Sequence, residues 1–231
     1  MTSLTVGDLR FEVRHSARRK SVQITVDRAG ELILSAPDGC PSPKLAAFVR
    51  EKRFWIYTKL AEKEALHAET TPKRYVSGEG FPYLGRSHRL LLVEKQDAPV
   101  KLEHGRFKMT SEAASSAGRE HMVRWYTERA NLWLSKRVDR FRRRIGLEPV
   151  SLTVQDLGFR WGSCGKGGRL YFHWRSILLP PHIVEYVVAH ELIHLIEPHH
   201  TPTFWTRLER TLPDFAIRKQ WLAENAARLN L

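Results

Sequence analysis

Apolar positions alternate through residues 21–36, "SVQITVDRAGELILSA". Val22, Ile24 and Val26 fall on one face, Arg28-Ala29-Gly30 supplies a turn, and Leu32, Ile33 and Leu34 resume the apolar run. This pattern predicts a β-hairpin. "PDGCPSP" interrupts it, and Ser42 with Pro43 suits a helix start. Leu45, Phe48, Val49, Trp55, Ile56 and Leu60 then recur near one helical face, which predicts a helix over about 43–68, ended by "TTPKR". Residues 75–110 break into short Gly-, aromatic- and Val/Leu-containing runs, the pattern of short antiparallel strands. The small polar stretch 111–118, "SEAASSAG", reads as a linker or loop.

The pattern then changes period. Val123, Tyr126, Ala130, Trp133, Leu134, Val138, Phe141 and Ile145 repeat at helical spacing, predicting a helix over Arg119–Ile145 that Gly146 and Pro149 terminate. "VSLTVQDLGFRWGSC" and "GRLYFHW" read as two strands around the turn "GKGG". A helix with Pro181 in its first turn carries "HIVEYVVAHELIHLI". Another starts at Thr201 and stops at Pro213, and a last one covers Phe215 to Leu229. No internal repeat is evident in the sequence. The sequence therefore predicts an α+β fold, with a β-rich N-terminal region over 1–114 (including the helix at about 43–68) and a second domain over 115–231.

Composition narrows the classes. With 231 residues and 42% hydrophobic content, the chain can bury a full core. The N-terminus lacks a signal-peptide pattern and no apolar run is long enough for a bilayer, so no membrane association is expected. Two distant cysteines, Cys40 and Cys164, suit a reducing, cytoplasmic setting. The net charge of +13 favours acidic partners. Residues 119–145 carry nine Arg/Lys against three acids, which is either a solvated helix face or a surface for nucleic acid.

The stretch His190–His200, "HELIHLIEPHH", carries the candidate chemistry. At about 100° per residue, His190 and His194 point about 40° apart on one helix face and can share a metal ion. Glu191 lies off that axis, where a base can take a proton from a water on the metal. This is the H-E-x-x-H pattern of zinc hydrolases. Val184, Val187, Val188 and Leu195 supply an apolar stripe that can bury the helix. Pro198 ends the helix, and His199 and His200 follow; either can return as the third ligand.

"RWGSC" followed by "YVVAHELIHLIEPHHTPTFW" resembles the YgjP-like metallopeptidase domain family. The resemblance extends to "RRKSVQITVDRAGELILSAP", "FVREKRFWIYTKL" and "YLGRSHRLLL", and so covers most of the chain. The family has an Asn-His-Ser-type step before Phe-Trp; here His199 stands for the Asn and Thr201 for the Ser. Aligned on Phe204-Trp205, the resemblance implies His200 as third ligand and a zincin-like fold around an active-site helix. The "FRWGSCGKGGRLYFHW" strands would border the cleft, with Arg160, Trp161, Gly162, Arg169 and Arg175 as substrate-side candidates. Trp161 and Trp205 also suit packing, Cys164 a small buried thiol, and His173 a structural role.

Three functions are consistent with these residues. The first is a metallopeptidase with Zn2+ on His190, His194 and His200, and Glu191 as base toward a peptide or protein substrate. The second is a metal-dependent nucleoside triphosphate pyrophosphatase or phosphohydrolase on the same site. The third is a DNA-associated protease or nucleic-acid-binding module using the basic helix.

Overall fold

The computed structural model describes residues 2–26, 31–54, 56, 57, 59, 60, 73–158, 160–225 and 229. Contacts divide the chain into two units, Met1–Thr71 and Pro72–Leu231. The division does not fall at 114/115, because the strands after residue 80 share a core with the long helix. Phe107 packs edge-on against Trp125 at 4.8 Å, and Tyr126 Oη donates to the Pro82 carbonyl at 2.7 Å.

In the first unit, β1 (Thr2–Val6), β2 (Leu9–His15), β3 (Gln23–Val26) and β4 (Leu32–Ala36) form a sheet of order β1-β2-β4-β3. The hairpin expected over 21–36 is the antiparallel pair β3–β4; its turn, Arg28-Ala29-Gly30, lies outside the described residues. Helix α1 (Ser42–Glu51) has Pro41, not Ser42, at its N-cap. Residues 53, 54, 56, 57, 59 and 60 are also helical; Trp55 and the expected helix end over 61–68 lie outside the described residues, as does the start of "TTPKR". Phe11, Leu34, Leu45, Val49 and Ile56 form the core of this unit.

The second unit opens with β5 (Gly80–Tyr83), β6 (Arg86–Val93), β7 (Val100–Glu103) and β8 (Arg106–Thr110), in the order β5-β6-β8-β7. The expectation of antiparallel strands holds for both hairpins but not for the central β6–β8 pair, which is parallel. Each hairpin turns on two residues with positive φ, Leu84-Gly85 and His104-Gly105. Such two-residue turns match the twist of antiparallel strands, so each hairpin closes locally and the two then join side by side. The first sheet has the same arrangement, hairpins with a parallel central pair, a repeat of topology that the sequence does not display.

Helix α2 (Ser111–Ile145) begins inside the stretch expected to be a linker. Thr110 caps it by accepting from Ala113 N–H, and the break falls later, at Ala117 (φ −155°, ψ 45°). The next residue, Gly118, packs against Tyr75 so closely that a Cβ would lie 2.7 Å from the ring. Met122, Trp125, Tyr126, Ala130, Leu134, Val138 and Phe141 are buried, and Gly146 ends the helix at φ 75°.

The third sheet, order β10-β11-β9, holds β9 (Ser151–Gln155), β10 (Gly162–Gly165) and β11 (Arg169–His173). The run read as one strand from 150 to 164 is therefore two: Asp156 accepts from Gly158 N–H, and Gly158 has φ 60°, which turns the chain between them. Strand β11 pairs parallel with β9 and antiparallel with β10, leaving β10 at the edge. A 3-10 turn over Trp174–Leu178 leads to α3 (Pro181–Ile193), then α4 (Pro202–Thr211) and α5 (Phe215–Asn225). The last helix was expected to reach Leu229; residues 226–228 lie outside the described residues.

Helix α3 is more deeply set than a one-sided stripe predicts. Ile183, Val184, Val187, Val188, Ala189, Leu192 and Ile193 are all buried, as a helix packed by α2, α4, α5 and β10 requires. Glu185 gathers Arg137 and Arg140 from α2 and Arg218 from α5 at 3.4–3.7 Å. Arg142 and Arg143 pair with Asp139, and Arg142 also with Glu148. Four of the nine basic residues of the long helix thus face acids of the protein itself. Among the described residues, no helix is long and apolar enough to cross a membrane.

Candidate metal centre and active-site cleft

Helix α3 delivers His190 from its last turn and His194 from its C-cap. The chain turns at Pro198, and Thr201 caps α4 by accepting from Phe204 N–H, which fixes His200 between the two helices. The three Nε2 atoms then lie 3.0–3.2 Å apart in a closed triangle. His199 is exposed and is not part of this triangle.

Each ring is held differently. His194 Nδ1–H donates to the Glu197 carbonyl at 2.8 Å, the tautomer that leaves its Nε2 as a lone pair. His200 stacks on Trp205 at 5.5 Å, and Trp205 stacks in turn on Phe215. His190 is held by packing against Tyr186, Phe204 and Trp205; its Nδ1 is buried with no hydrogen-bond partner among the described residues. Phe204, fully buried, lies with its ring 4.6–4.9 Å from all three imidazoles and floors the site.

The triangle fits a cation and not a set of hydrogen bonds. A neutral ring nitrogen is either donor or acceptor, so no choice of tautomers satisfies all three contacts. Burial and the two neighbouring imidazoles push the pKa of His190 down to about 3, so that ring is neutral. Three imidazole nitrogens at zinc-ligand distances around one tetrahedral ion would stand about 3.3 Å apart. The observed spacing is close to that, and the three residues could hold a metal ion.

Glu191 lies about 100° round the helix from His190, lines the same cleft, and is only 7% exposed. Burial raises its carboxyl pKa to about 7, against the opposing pull of a hydrogen bond from Cys164 N–H and the charge of Arg160. Gly162 on β10 lies directly against its side chain. A cleft of about 570 Å3 joins these groups: one wall is Arg160 and residues 162–168, the other His190, Glu191, His194, Leu195, Pro198 and His200.

The model of the YgjP-like, metallopeptidase domain family matches residues 20–225. The chain belongs to this family. Membership makes it a hydrolase of the metallopeptidase type and implies a metal ion and a peptide substrate. No curated protein and no solved structure matches the chain.

The substrate-side candidates separate. Arg160 and Gly162 line the cleft, and Arg160 Nη1 donates to Ser163 Oγ at 3.2 Å. Trp161 packs against the core, and its carbonyl accepts from His173 N–H at 2.9 Å. Arg169 and Arg175 are not among the cleft-lining residues. Arg169 is exposed on β11, while Arg175 lies with its guanidinium 5.2 Å over the Trp174 ring. Buried His173 faces Asp156 at 3.2 Å, and Cys164 is a half-buried thiol whose pKa burial and Glu191 both raise. Sequence reasoning missed Lys166 in the cleft wall and Phe204 as its floor. The "GKGG" turn hinted at the first, and the Phe-Trp step marked the register of the second.

Proposed function

We propose that the protein is a zinc-dependent peptidase in which Glu191 is the general base. The observation that carries this reading is the Nε2 triangle of His190, His194 and His200 beside a buried carboxylate in one cleft. Three imidazole donors suit zinc, with a further position left open for water. When bound there, the ion supplies a Lewis acid that acidifies water and polarises the carbonyl of the scissile bond.

The protein's own groups do the rest. Glu191 takes a proton from the attacking water as the new C–O bond forms, then gives it to the departing amine nitrogen as the C–N bond breaks, leaving a carboxylate and an amine. Its raised pKa suits that exchange near neutral pH. Cys164 N–H orients the carboxylate, and Gly162 leaves room beside it. The edge strand β10 can align an extended peptide by backbone hydrogen bonds.

Triphosphate hydrolysis would use the same centre but needs fixed positive charge on the phosphates. Two of the three arginines considered for that task, Arg169 and Arg175, stand outside the cleft, which favours the peptide. The test is an unbiased peptide library offered to the metal-stripped protein and again after zinc is restored, with nucleoside triphosphates in parallel. Zinc-restored peptide cleavage supports the reading. Triphosphate hydrolysis with no peptide cut contradicts it.

A further inference from the structure

The charges that line the cleft are unbalanced. Among its described lining residues Glu191 is the one carboxylate, and it is buried. Against it stand Arg160, just before β10, and Lys166, in the turn just after it. Lys166 is exposed and has no ion-pair partner among the described residues. A further cation, Lys219 on α5, lies 4.3 Å over the Trp205 ring that backs His200. The wall between Arg160 and Lys166 is low, with Gly162 and Gly165 at the ends of the strand, so a chain laid along it meets few side chains.

We infer that this cleft selects acidic segments, with Lys166 reading a carboxylate on one side of the scissile bond and Arg160 reading one on the other. The inference rests on the peptidase reading and names its substrate class. Its geometry comes from the strand. Arg160 and Lys166 stand beyond opposite ends of β10 (Gly162–Gly165), so an extended chain laid along the strand passes both. Like charges facing a concave, partly desolvated wall focus an attractive field on an anionic chain and repel a basic one.

The test uses the full-length zinc-loaded protein and three fluorescent octapeptides that share an Ala/Leu/Gly centre and carry Glu, Gln or Lys near both ends. Binding is read by fluorescence anisotropy on the Glu191→Gln protein, and cleavage on the unmodified protein. The Glu peptide should bind roughly three- to ten-fold more tightly than the Gln peptide at low salt, a preference that shrinks as salt is added. Lys166→Glu, on an exposed turn, should abolish that preference and improve the Lys peptide, acting on KM more than on kcat. A merely structural role for Lys166 would not invert the order. Equal binding and equal cutting of the Glu and Gln peptides would overturn the acidic preference while leaving the peptidase reading intact. A Lys166-dependent preference in binding, with no peptide cut by the active protein, would support the acidic cleft and contradict the peptidase reading. Tighter binding of a nucleoside triphosphate than of any peptide, unchanged by Lys166→Glu, would overturn both.

Discussion

Gly162 lies so close to Glu191 that a Cβ added to it would stand 2.6 Å from the glutamate Cγ and 2.9 Å from Oε1. The edge strand and Glu191, the proposed base, are thus in direct contact, and the strand can approach only because residue 162 has no side chain. Gly162→Ala should displace the carboxylate or the strand by a fraction of an ångström to an ångström. Misplacement on that scale can lower turnover by about 100-fold. The three histidines are untouched, so metal content should stay at the unmodified level. Turnover and elemental analysis on one preparation check this; full activity would mean that the contact does not position Glu191.

The proposed third ligand gives a contrast between neighbours. His200 closes the Nε2 triangle and His199 does not. His200→Ala should weaken metal binding by a large factor in chelator competition, while His199→Ala should change it little. The reverse order would move the ligand to His199.

Phe204 touches all three imidazole rings from below and is fully buried. Phe204→Ala should cost about 3–5 kcal/mol of stability by leaving a cavity, and should also loosen the metal. Phe204→Leu should recover much of the stability. Denaturant titration of the metal-free proteins isolates the packing loss. Zinc affinities of the folded variants then report how far the floor orients the ligands.

A metal that binds the folded site and not the unfolded chain stabilises the fold by mass action. Free zinc at about 1,000 times its Kd should add about 4 kcal/mol. A chelator should therefore lower the melting temperature of the unmodified protein and leave that of a His190→Ala, His194→Ala double variant unchanged. Equal shifts in both would place the metal elsewhere.

The parts of this site that the sequence reveals are those set by local geometry. The directions of His190, Glu191 and His194 are legible because helical periodicity fixes them, whereas the residues alone leave His199 and His200 both open and only the family resemblance, aligned on Phe204-Trp205, points to His200. Long-range packing hides the rest. Arg175 reads as a cation for substrate, yet the chain turns it over Trp174 and away from the cleft. Lys166 reads as an ordinary turn residue until the β10–β11 hairpin carries it to the cleft wall. Residues 111–118 read as a loop from their small polar side chains, but the Thr110 cap and contacts made by Ala113 favour helix, with a break only at Ala117. The parallel β6–β8 pair joins strands from two separate hairpins, and nothing local in either strand encodes it.

The central claim is that Glu191 moves a proton and does not hold the metal. Its most direct test is zinc content and peptide hydrolysis measured on the same sample of Glu191→Gln. The expected result is one zinc per chain, an unchanged fold, and hydrolysis reduced by about 100- to 10,000-fold, the range for loss of a positioned general base. Zinc lost together with activity would make Glu191 a ligand, and hydrolysis retained with zinc in place would remove it from the mechanism; either result contradicts the account.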